Sequence, residues 1–133
     1  MAVIVADTDV LIDLLGRGAA QRVALEIEAG ALATTAITRF ELLSGAKGRR
    51  QLRAVEDLLA ALPTLSLDAD TADEAARLRR GLEAERRGIA TADSLIAGIV
   101  LRHQAILLTR NRRHLERVPG LVLAQLDLDN AAD

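Results

Sequence analysis

The stretch Ala2-Val3-Ile4-Val5-Ala6-Asp7, followed at once by Thr8-Asp9-Val10-Leu11-Ile12, decides the fold of this chain. Its apolar run predicts a strand that is buried on both faces, and the residues that follow predict a helix. In open α/β sheets the ligand crevice lies outside the carboxyl ends of the strands. We therefore expect Asp7, at the end of this strand, to contact a substrate or a metal ion.

The same two patterns alternate along the rest of the chain. Strands are expected at Val3–Ala6, Leu32–Ala36, Leu65–Leu67, Ala105–Thr109 and Leu121–Ala124. Helices are expected at Thr8–Leu15, Ala19–Ala29, Ile37–Ala46, Gln51–Leu62, Thr71–Arg87, Thr91–His103 and Asn111–Glu116. Because strands that alternate with helices form parallel β-α-β units, the predicted class is α/β. The expected architecture is a three-layer α/β/α sandwich with a mainly parallel central sheet.

The composition limits the chemistry that the chain can perform. Its 133 residues fit one domain. A single Phe, without Trp or Tyr, nearly excludes base stacking on aromatic rings, so contacts to nucleic acid should be ionic or polar. The absence of Cys excludes thiolate metal ligands and a thiol nucleophile. The net charge is −2, yet the segment from Arg77 to Arg117 carries ten Arg against four acidic residues, which is compatible with a phosphate-bearing partner.

Targeting signals are not evident in the sequence. Every apolar run is far shorter than the roughly 18 residues that a membrane-spanning helix needs. The apolar N-terminal run lacks a basic flank and is interrupted by Asp7 and Asp9, which is atypical of a signal peptide. We therefore expect a cytoplasmic protein with no membrane partner.

Two further acidic residues lie on the inward faces of two different predicted helices. Glu41 lies among apolar and small residues, and Asp93 shares the stripe of Ile96 and Val100. Carboxylates about 4 Å apart repel by roughly 4 kcal/mol at an effective dielectric constant near 20. If Glu41 and Asp93 lie close to Asp7, their charge must therefore be neutralised, either by protons that are held with raised pKa values or by a divalent cation. Oxygen ligands without Cys favour Mg²⁺ or Mn²⁺ over Zn²⁺, and we favour the metal ion.

Asn111 follows a second predicted strand, so its side chain should lie at the same edge of the sheet as Asp7. Its amide oxygen could bind a metal ion or a water molecule. The alternative is an ordinary helix cap or turn residue, which is the commoner role of an isolated Asn.

Four segments, in this order, resemble the PIN domain, and in particular the VapC toxin ribonucleases of bacterial toxin–antitoxin pairs. The matching segments are Asp7-Thr8-Asp9-Val10-Leu11, Thr38-Arg39-Phe40-Glu41-Leu42-Leu43-Ser44-Gly45, Thr91-Ala92-Asp93-Ser94-Leu95-Ile96-Ala97 and Leu108-Thr109-Arg110-Asn111. Each segment alone is a weak signal, but their order makes the combination specific. The resemblance spans nearly the whole chain and implies a nuclease domain over residues 1–126, followed by a polar tail at 127–133.

The resemblance also implies a metal-dependent endoribonuclease that hydrolyses phosphodiester bonds in RNA, with tRNA or rRNA as the expected substrate. The implied catalytic residues are Asp7, Glu41, Asp93 and Asn111, of which the three acids would bind Mg²⁺ or Mn²⁺. The implied supporting residues are Thr8, Asp9 and Thr109, and the expected contacts to RNA phosphates are Arg110, Arg112 and Arg113. Many family members have Asp at the position of Asn111, so we expect one firmly bound ion and a second recruited with substrate. Implied partners are a cognate VapB-like antitoxin, in a hetero-oligomer, and a second copy of the chain, in a homodimer.

Two alternatives remain open at this point. Asp7 and Asp9 after a strand are similar to the paired aspartates of haloacid dehalogenase-type phosphatases, which form an aspartyl phosphate. Such enzymes need a supporting Lys, and Lys47 is the only one in the chain. The other alternative is a PIN binding module whose metal site has lapsed through Asn111.

Overall fold

A parallel sheet runs through the centre of the molecule, whose computed structural model describes residues 3–17, 30 and 32–124. In this part of the chain the strands are β1 (Ile4–Ala6), β2 (Leu32–Thr35), β3 (Thr64–Leu65), β4 (Ile106–Leu108) and β5 (Val122–Leu123). They form one sheet in the order β3-β2-β1-β4-β5, and all four of its pairings are parallel. The predicted helix Ala19–Ala29 and the predicted tail 127–133 lie outside the described residues.

Helices connect the strands and cover both faces of the sheet. Their bounds are α1 (Thr8–Arg17), α2 (Ala36–Gly45), α3 (Gly48–Ala60), α4 (Ala69–Ala84), α5 (Thr91–Arg102) and α6 (Arg112–Leu115). No helix among the described residues is long and apolar enough to cross a membrane.

Two apolar cores, one on each face of the sheet, hold the layers together. Val5 and Leu107 point to one face and pack with side chains of α4 and α5, such as Leu82 and Ile96. Their strand neighbours point to the opposite face and pack with α1 and α3. Because successive strand residues face opposite sides, both faces of the sheet are buried. The predicted three-layer α/β/α sandwich is therefore confirmed.

The order of the strands creates a crevice beside β1. From β1 the chain adds β2 and β3 on one side, and it then returns to add β4 and β5 on the other side. This reversal is a topological switch point, where open α/β sheets bind their ligands. Asp7 follows β1 and Thr109 follows β4, so both lie at the switch point.

Two helix ends differ from the sequence predictions, one because of a local hydrogen bond and one because of a backbone turn. Helix α3 begins at Gly48 instead of Gln51, and the side chain of Gln51 accepts a 2.8 Å hydrogen bond from the backbone N–H of Lys47, just before the helix. Helix α4 ends at Ala84, ahead of the predicted Arg87, because the backbone turns at Arg86, whose φ is 60°. The remaining bounds agree to within about two residues.

Candidate active site

Asp7 is held at the switch point by contacts to both neighbouring segments. It is only 5% exposed. Its Oδ1 accepts a 2.8 Å hydrogen bond from the backbone N–H of Thr8, and its Oδ2 accepts a 2.7 Å hydrogen bond from the hydroxyl of Thr109. Its own N–H donates to the carbonyl of Leu108, at the end of β4. Asp7 is thus a buried carboxylate with a defined orientation.

Glu41 is connected to the end of β1 through hydroxyl groups. The hydroxyl of Thr8 donates a 2.7 Å hydrogen bond to Oε1 of Glu41, and the hydroxyls of Thr8 and Thr38 lie 3.0 Å apart. Because a carboxylate can only accept, the single proton of Thr8 points to Glu41, and Thr38 must donate to Thr8. Thr38 is completely buried in the first turn of α2, where its N–H donates to the capping hydroxyl of Thr35.

Asp93 lies in the first turn of α5 and faces Asn111, in the loop after β4. Its Oδ2 accepts a 3.1 Å hydrogen bond from Nδ2 of Asn111. The amide oxygen of Asn111, which was predicted to be available to metal or water, lies 2.7 Å from Nδ1 of His114. Asn111 precedes α6 as its N-cap residue, but its side chain makes no capping hydrogen bond. Asn111 therefore occupies the cap position that the sequence allowed, while its side chain contacts Asp93 and His114.

Asp9 and Asp13 occupy the rim of the site on α1, next to Arg110. Oδ1 of Asp9 accepts a 3.3 Å hydrogen bond from the backbone N–H of Arg110. The guanidinium of Arg110 forms an ion pair with Asp13. These two contacts tie the loop after β4 to the first helix.

Burial and mutual repulsion raise the pKa of two of these acids. The pKa of Asp93 is raised mainly by its burial, then by the charge of Asp7 and, less strongly, by that of Glu41, while the charge of His114 and the hydrogen bond of Asn111 oppose the shift. The pKa of Asp9 is raised by its burial and by the charge of Asp7. Because a like charge raises a carboxyl pKa only when it is near, these acids share one electrostatic environment.

This environment predicts how stability depends on pH when no metal ion is present. A carboxyl group whose folded pKa is raised binds its proton more tightly in the folded state, so its contribution falls as the pH rises through that pKa. Asp93→Asn should therefore gain stability relative to the unmodified protein as the pH rises above about 4, the ordinary pKa of Asp. Urea unfolding with EDTA at a series of pH values measures this difference.

Asp68 provides a matched control with the opposite sign. It caps α4, and its pKa is lowered mainly by its hydrogen bond with Thr71. Its stabilising contribution is present above the unfolded pKa and is lost as the pH falls through the folded pKa. Asp68→Asn should thus lose stability relative to the unmodified protein as the pH rises. If the difference in stability between Asp93→Asn and the unmodified protein stays constant with pH, the raised pKa of Asp93 is contradicted.

The donor chemistry of the site fits a hard divalent cation, although the side chains do not form a complete ligand cage. Within residues 3–17, 30 and 32–124, no group of three His, Cys, Asp or Glu side chains is arranged as a metal site. Asp7, Glu41 and Asp93 nevertheless supply carboxylate oxygens, the ligands that Mg²⁺ and Mn²⁺ prefer. The repulsion that raises the pKa of Asp93 is what a cation would relieve.

The cationic side chains near the site have different environments. Arg113 is exposed, whereas Arg112 donates a 2.6 Å hydrogen bond to the carbonyl of Ala124. Arg110 is paired with Asp13. Lys47, which the phosphatase alternative would require, is an exposed residue before α3.

An apolar groove of about 570 Å³ extends from Glu41 between α1, α2 and α3. Ile12 and Leu15 of α1 line it and are 56% and 40% exposed. Ala54 and Val55 of α3 form part of the opposite wall.

Sequence inspection did not single out three residues that contact the site. Thr38, Asp13 and His114 act through Thr8, Arg110 and Asn111. Only Thr38 has a local signal nearby, because Thr35, three residues earlier, is a residue type that is typical of a helix N-cap. The other two contacts depend on tertiary packing.

The sequence profile of the PIN domain matches residues 4–121 of this chain. Two curated proteins with significant similarity are both named tRNA(fMet)-specific endonuclease VapC. The one from Shigella flexneri is 28% identical over 120 residues, covering 86% of this chain and 91% of that protein. The one from Salmonella typhimurium strain LT2 is 30% identical over 91 residues, covering 65% of this chain and 69% of that protein.

Two solved structures of complexes are also similar to this fold. The DNA-bound VapBC complex of Salmonella typhimurium contains a chain with a TM-score of 0.83 and 25% identity, covering 93% of this chain and 98% of that one. A toxin–antitoxin complex from Klebsiella pneumoniae contains a chain with a TM-score of 0.72 and 29% identity, covering 90% and 95%.

Proposed function

The chain belongs to the PIN-domain family, as a VapC-type member, and on this basis we propose that it is a metal-dependent endoribonuclease and the toxin of a toxin–antitoxin pair. One observation supports the proposal: Thr8, at the switch point, donates hydrogen bonds to both Asp7 and Glu41, and the charges of these two acids help to raise the pKa of Asp93. The names of the two relatives favour tRNA over rRNA as the substrate. We place the activity in the cytoplasm, where these RNAs are found, and keep residues 1–126 as the nuclease domain.

Asp7, Glu41 and Asp93 would hold one Mg²⁺ or Mn²⁺ ion. When bound, such an ion lowers the pKa of a water molecule and offsets the charge that develops on the phosphate. Thr109 and Thr8 orient the first two carboxylates through the hydrogen bonds described above. Because Asn111 is neutral, we expect a second ion to arrive only with the substrate.

Asp7 or Asp93, as a carboxylate beside the bound ion, would assist the deprotonation of the attacking water. The water oxygen forms a bond to phosphorus, the bond to one ribose oxygen breaks, and that oxygen leaves with a proton. No side chain becomes covalently attached, which separates this proposal from the phosphatase alternative.

Contacts to RNA phosphates would come from the loop after β4 and from α6. Arg113 is exposed and is our strongest candidate for such a contact. Arg110 and Arg112 also hold protein groups, but a guanidinium has five N–H donors, so both remain in the proposal. Phosphate contacts of this kind position RNA without reading its bases.

The test is cleavage of total RNA and purified tRNA by the protein, freed of any antitoxin, with Mg²⁺, Mn²⁺ or EDTA. We expect discrete fragments with either ion and none with EDTA. Mn²⁺ should also raise the melting temperature, since a ligand that binds the folded state stabilises it. Intact RNA in every lane, without stabilisation by Mn²⁺, would favour the alternative of a lapsed metal site.

We further propose that the apolar groove beside Glu41 receives a segment of the cognate antitoxin. Ile12 and Leu15 line it and are exposed to solvent, and Glu41 is also among its lining residues. An apolar segment bound there would bury these side chains and cover Glu41 at the same time. The family resemblance also implies that the toxin forms a homodimer.

The groove proposal predicts that Ile12→Asp weakens antitoxin binding at least about tenfold, because a charge would be buried against apolar atoms. Val122→Asp is the matched control, because Val122 is an aliphatic residue of β5 with the same 56% exposure that lies outside the groove. Titration calorimetry with the antitoxin encoded by the adjacent gene measures both affinities. Equal affinities for the two variants would remove the groove from the proposal.

A further inference from the structure

Asn111 connects Asp93 to His114 through the two ends of its carboxamide. Its Nδ2 lies 3.1 Å from Oδ2 of Asp93, and its Oδ1 lies 2.7 Å from Nδ1 of His114. Its backbone N–H also donates a 3.0 Å hydrogen bond to the hydroxyl of Thr109, which in turn donates to Asp7. Asn111 therefore has contacts that lead to two of the three acids.

The chemistry of the partners determines the direction of each hydrogen bond. An ionised carboxylate can only accept, so the group that faces Asp93 must be the amide NH₂. The amide oxygen then faces His114, and it too can only accept. Nδ1 of His114 must therefore carry a proton, whatever the charge of the ring.

We propose that Asn111 is a positioning residue, which donates to Asp93 instead of binding the metal ion, and that His114 holds its amide in this orientation. The inference rests on the proposed nuclease function, because it assigns Asn111 a role at that site. An Asp at this position would place a further negative charge against Asp93. The neutral amide replaces that repulsion with a hydrogen bond to the carboxylate of Asp93, the proposed metal ligand, which is how outer partners orient metal ligands.

The surroundings of the pair hold it in place. Helix α6 is anchored by Leu115, which is 1% exposed, and by the hydrogen bond from Arg112 to Ala124. The backbone carbonyl of Asn111 accepts from the N–H of Leu115, one turn later. His114 thus lies next to Asn111 on a fixed turn, while its ring remains at the surface.

The decisive measurement is the tautomer of His114, obtained from ¹⁵N–¹H correlation spectra of the imidazole rings at a pH where they are neutral. The chain has only two His, so spectra of His103→Gln assign the signals, and the exposed His103 is an internal reference. We expect the proton of His114 on Nδ1, with and without Mg²⁺. A proton on Nε2 and a bare Nδ1 would overturn the inference, because the amide NH₂ would then face His114 and the oxygen would face Asp93.

Mg²⁺ affinity, measured by calorimetry without RNA, tests the positioning role. Asn111→Ala should weaken binding about tenfold, in the range observed for outer partners of metal ligands. His114→Ala should weaken it about threefold, and His114→Gln should restore it, because the Gln amide can also donate to Oδ1 of Asn111. Unchanged affinity in Asn111→Ala, or equal losses in both His114 variants, would contradict the role.

These results separate the inference from the proposed function. If Mg²⁺ binds and the tautomer is as expected but no RNA is cleaved, the nuclease proposal fails while the orientation of Asn111 stands. If RNA is cleaved in a metal-dependent way but Nδ1 of His114 carries no proton, the nuclease proposal stands and the proposed orientation of Asn111 fails.

Discussion

Asp7→Asn abolishes RNA cleavage, with an expected loss of about a hundredfold or more, because it removes a buried carboxylate from the centre of the site. The substitution keeps the shape of the side chain. Its amide oxygen can still accept from the N–H of Thr8, and its NH₂ can donate to Thr109, whose hydroxyl can rotate. The expected loss therefore comes from charge and not from misfolding. Gel analysis of RNA fragments over time measures the rate.

The same variant should be at least as stable as the unmodified protein when EDTA is present. The charge of Asp7 raises the pKa of Asp9 and of Asp93, so its removal relieves repulsion in the folded state. Asp73→Asn is the matched control, because it makes the same change in net charge at an exposed position of α4. Cleavage by Asp7→Asn within threefold of the control would exclude Asp7 from the reaction.

Gly98→Ala lowers the free energy of unfolding by about 1–3 kcal/mol, the usual cost of overpacking. Gly98 lies on α5 where that helix contacts α4, and a Cβ at this position would be 2.9 Å from Cβ of Ala75. Cα of Ala75 would be 3.4 Å away, so the added carbon is crowded against both the side chain and the backbone of α4, and the two helices must separate. Because α5 also carries Asp93, we expect RNA cleavage to decrease as well.

Gly81→Ala is the control for this prediction. Gly81 is on α4, and a Cβ there would meet nothing within 4 Å. This variant should be more stable by about 0.5–1 kcal/mol, since Ala favours a helix over Gly. Urea unfolding compares the two variants, and Ala75→Gly in the Gly98→Ala background should restore part of the loss. Equal stabilities of Gly98→Ala and Gly81→Ala would contradict the close helix contact.

The elements of the fold could be predicted because their patterns are local. Apolar residues alternate or run continuously in a strand, whereas they recur every three to four residues on one face of a helix. This difference located β1, β4 and α5 to within about two residues. The start of α3 was missed because Gly48 predicts a helix end, whereas the contact from Lys47 to Gln51 stabilises a start. Such capping contacts involve particular atoms, and composition alone does not specify them.

The candidate site was predicted less completely than the fold. Asp7 and Asn111 were expected at one edge of the sheet because each follows a strand. The orientation of Asn111 was not predicted, since it depends on Asp93 and His114. The hydroxyl of Thr38 was also missed, because its contact with Thr8 spans 30 positions.

By itself, the sequence determined the α/β class, the attachment of acidic residues to strand ends and helix starts, and the order of segments that resembles the PIN domain. These properties follow from local periodicity and from covalent connection. Only the tertiary structure decided which polar groups meet, as with Thr8 and Glu41, 33 positions apart, and Thr109 and Asp7, 102 positions apart. It also decided the raised pKa of Asp93, because burial and neighbouring charges arise only when distant segments pack together.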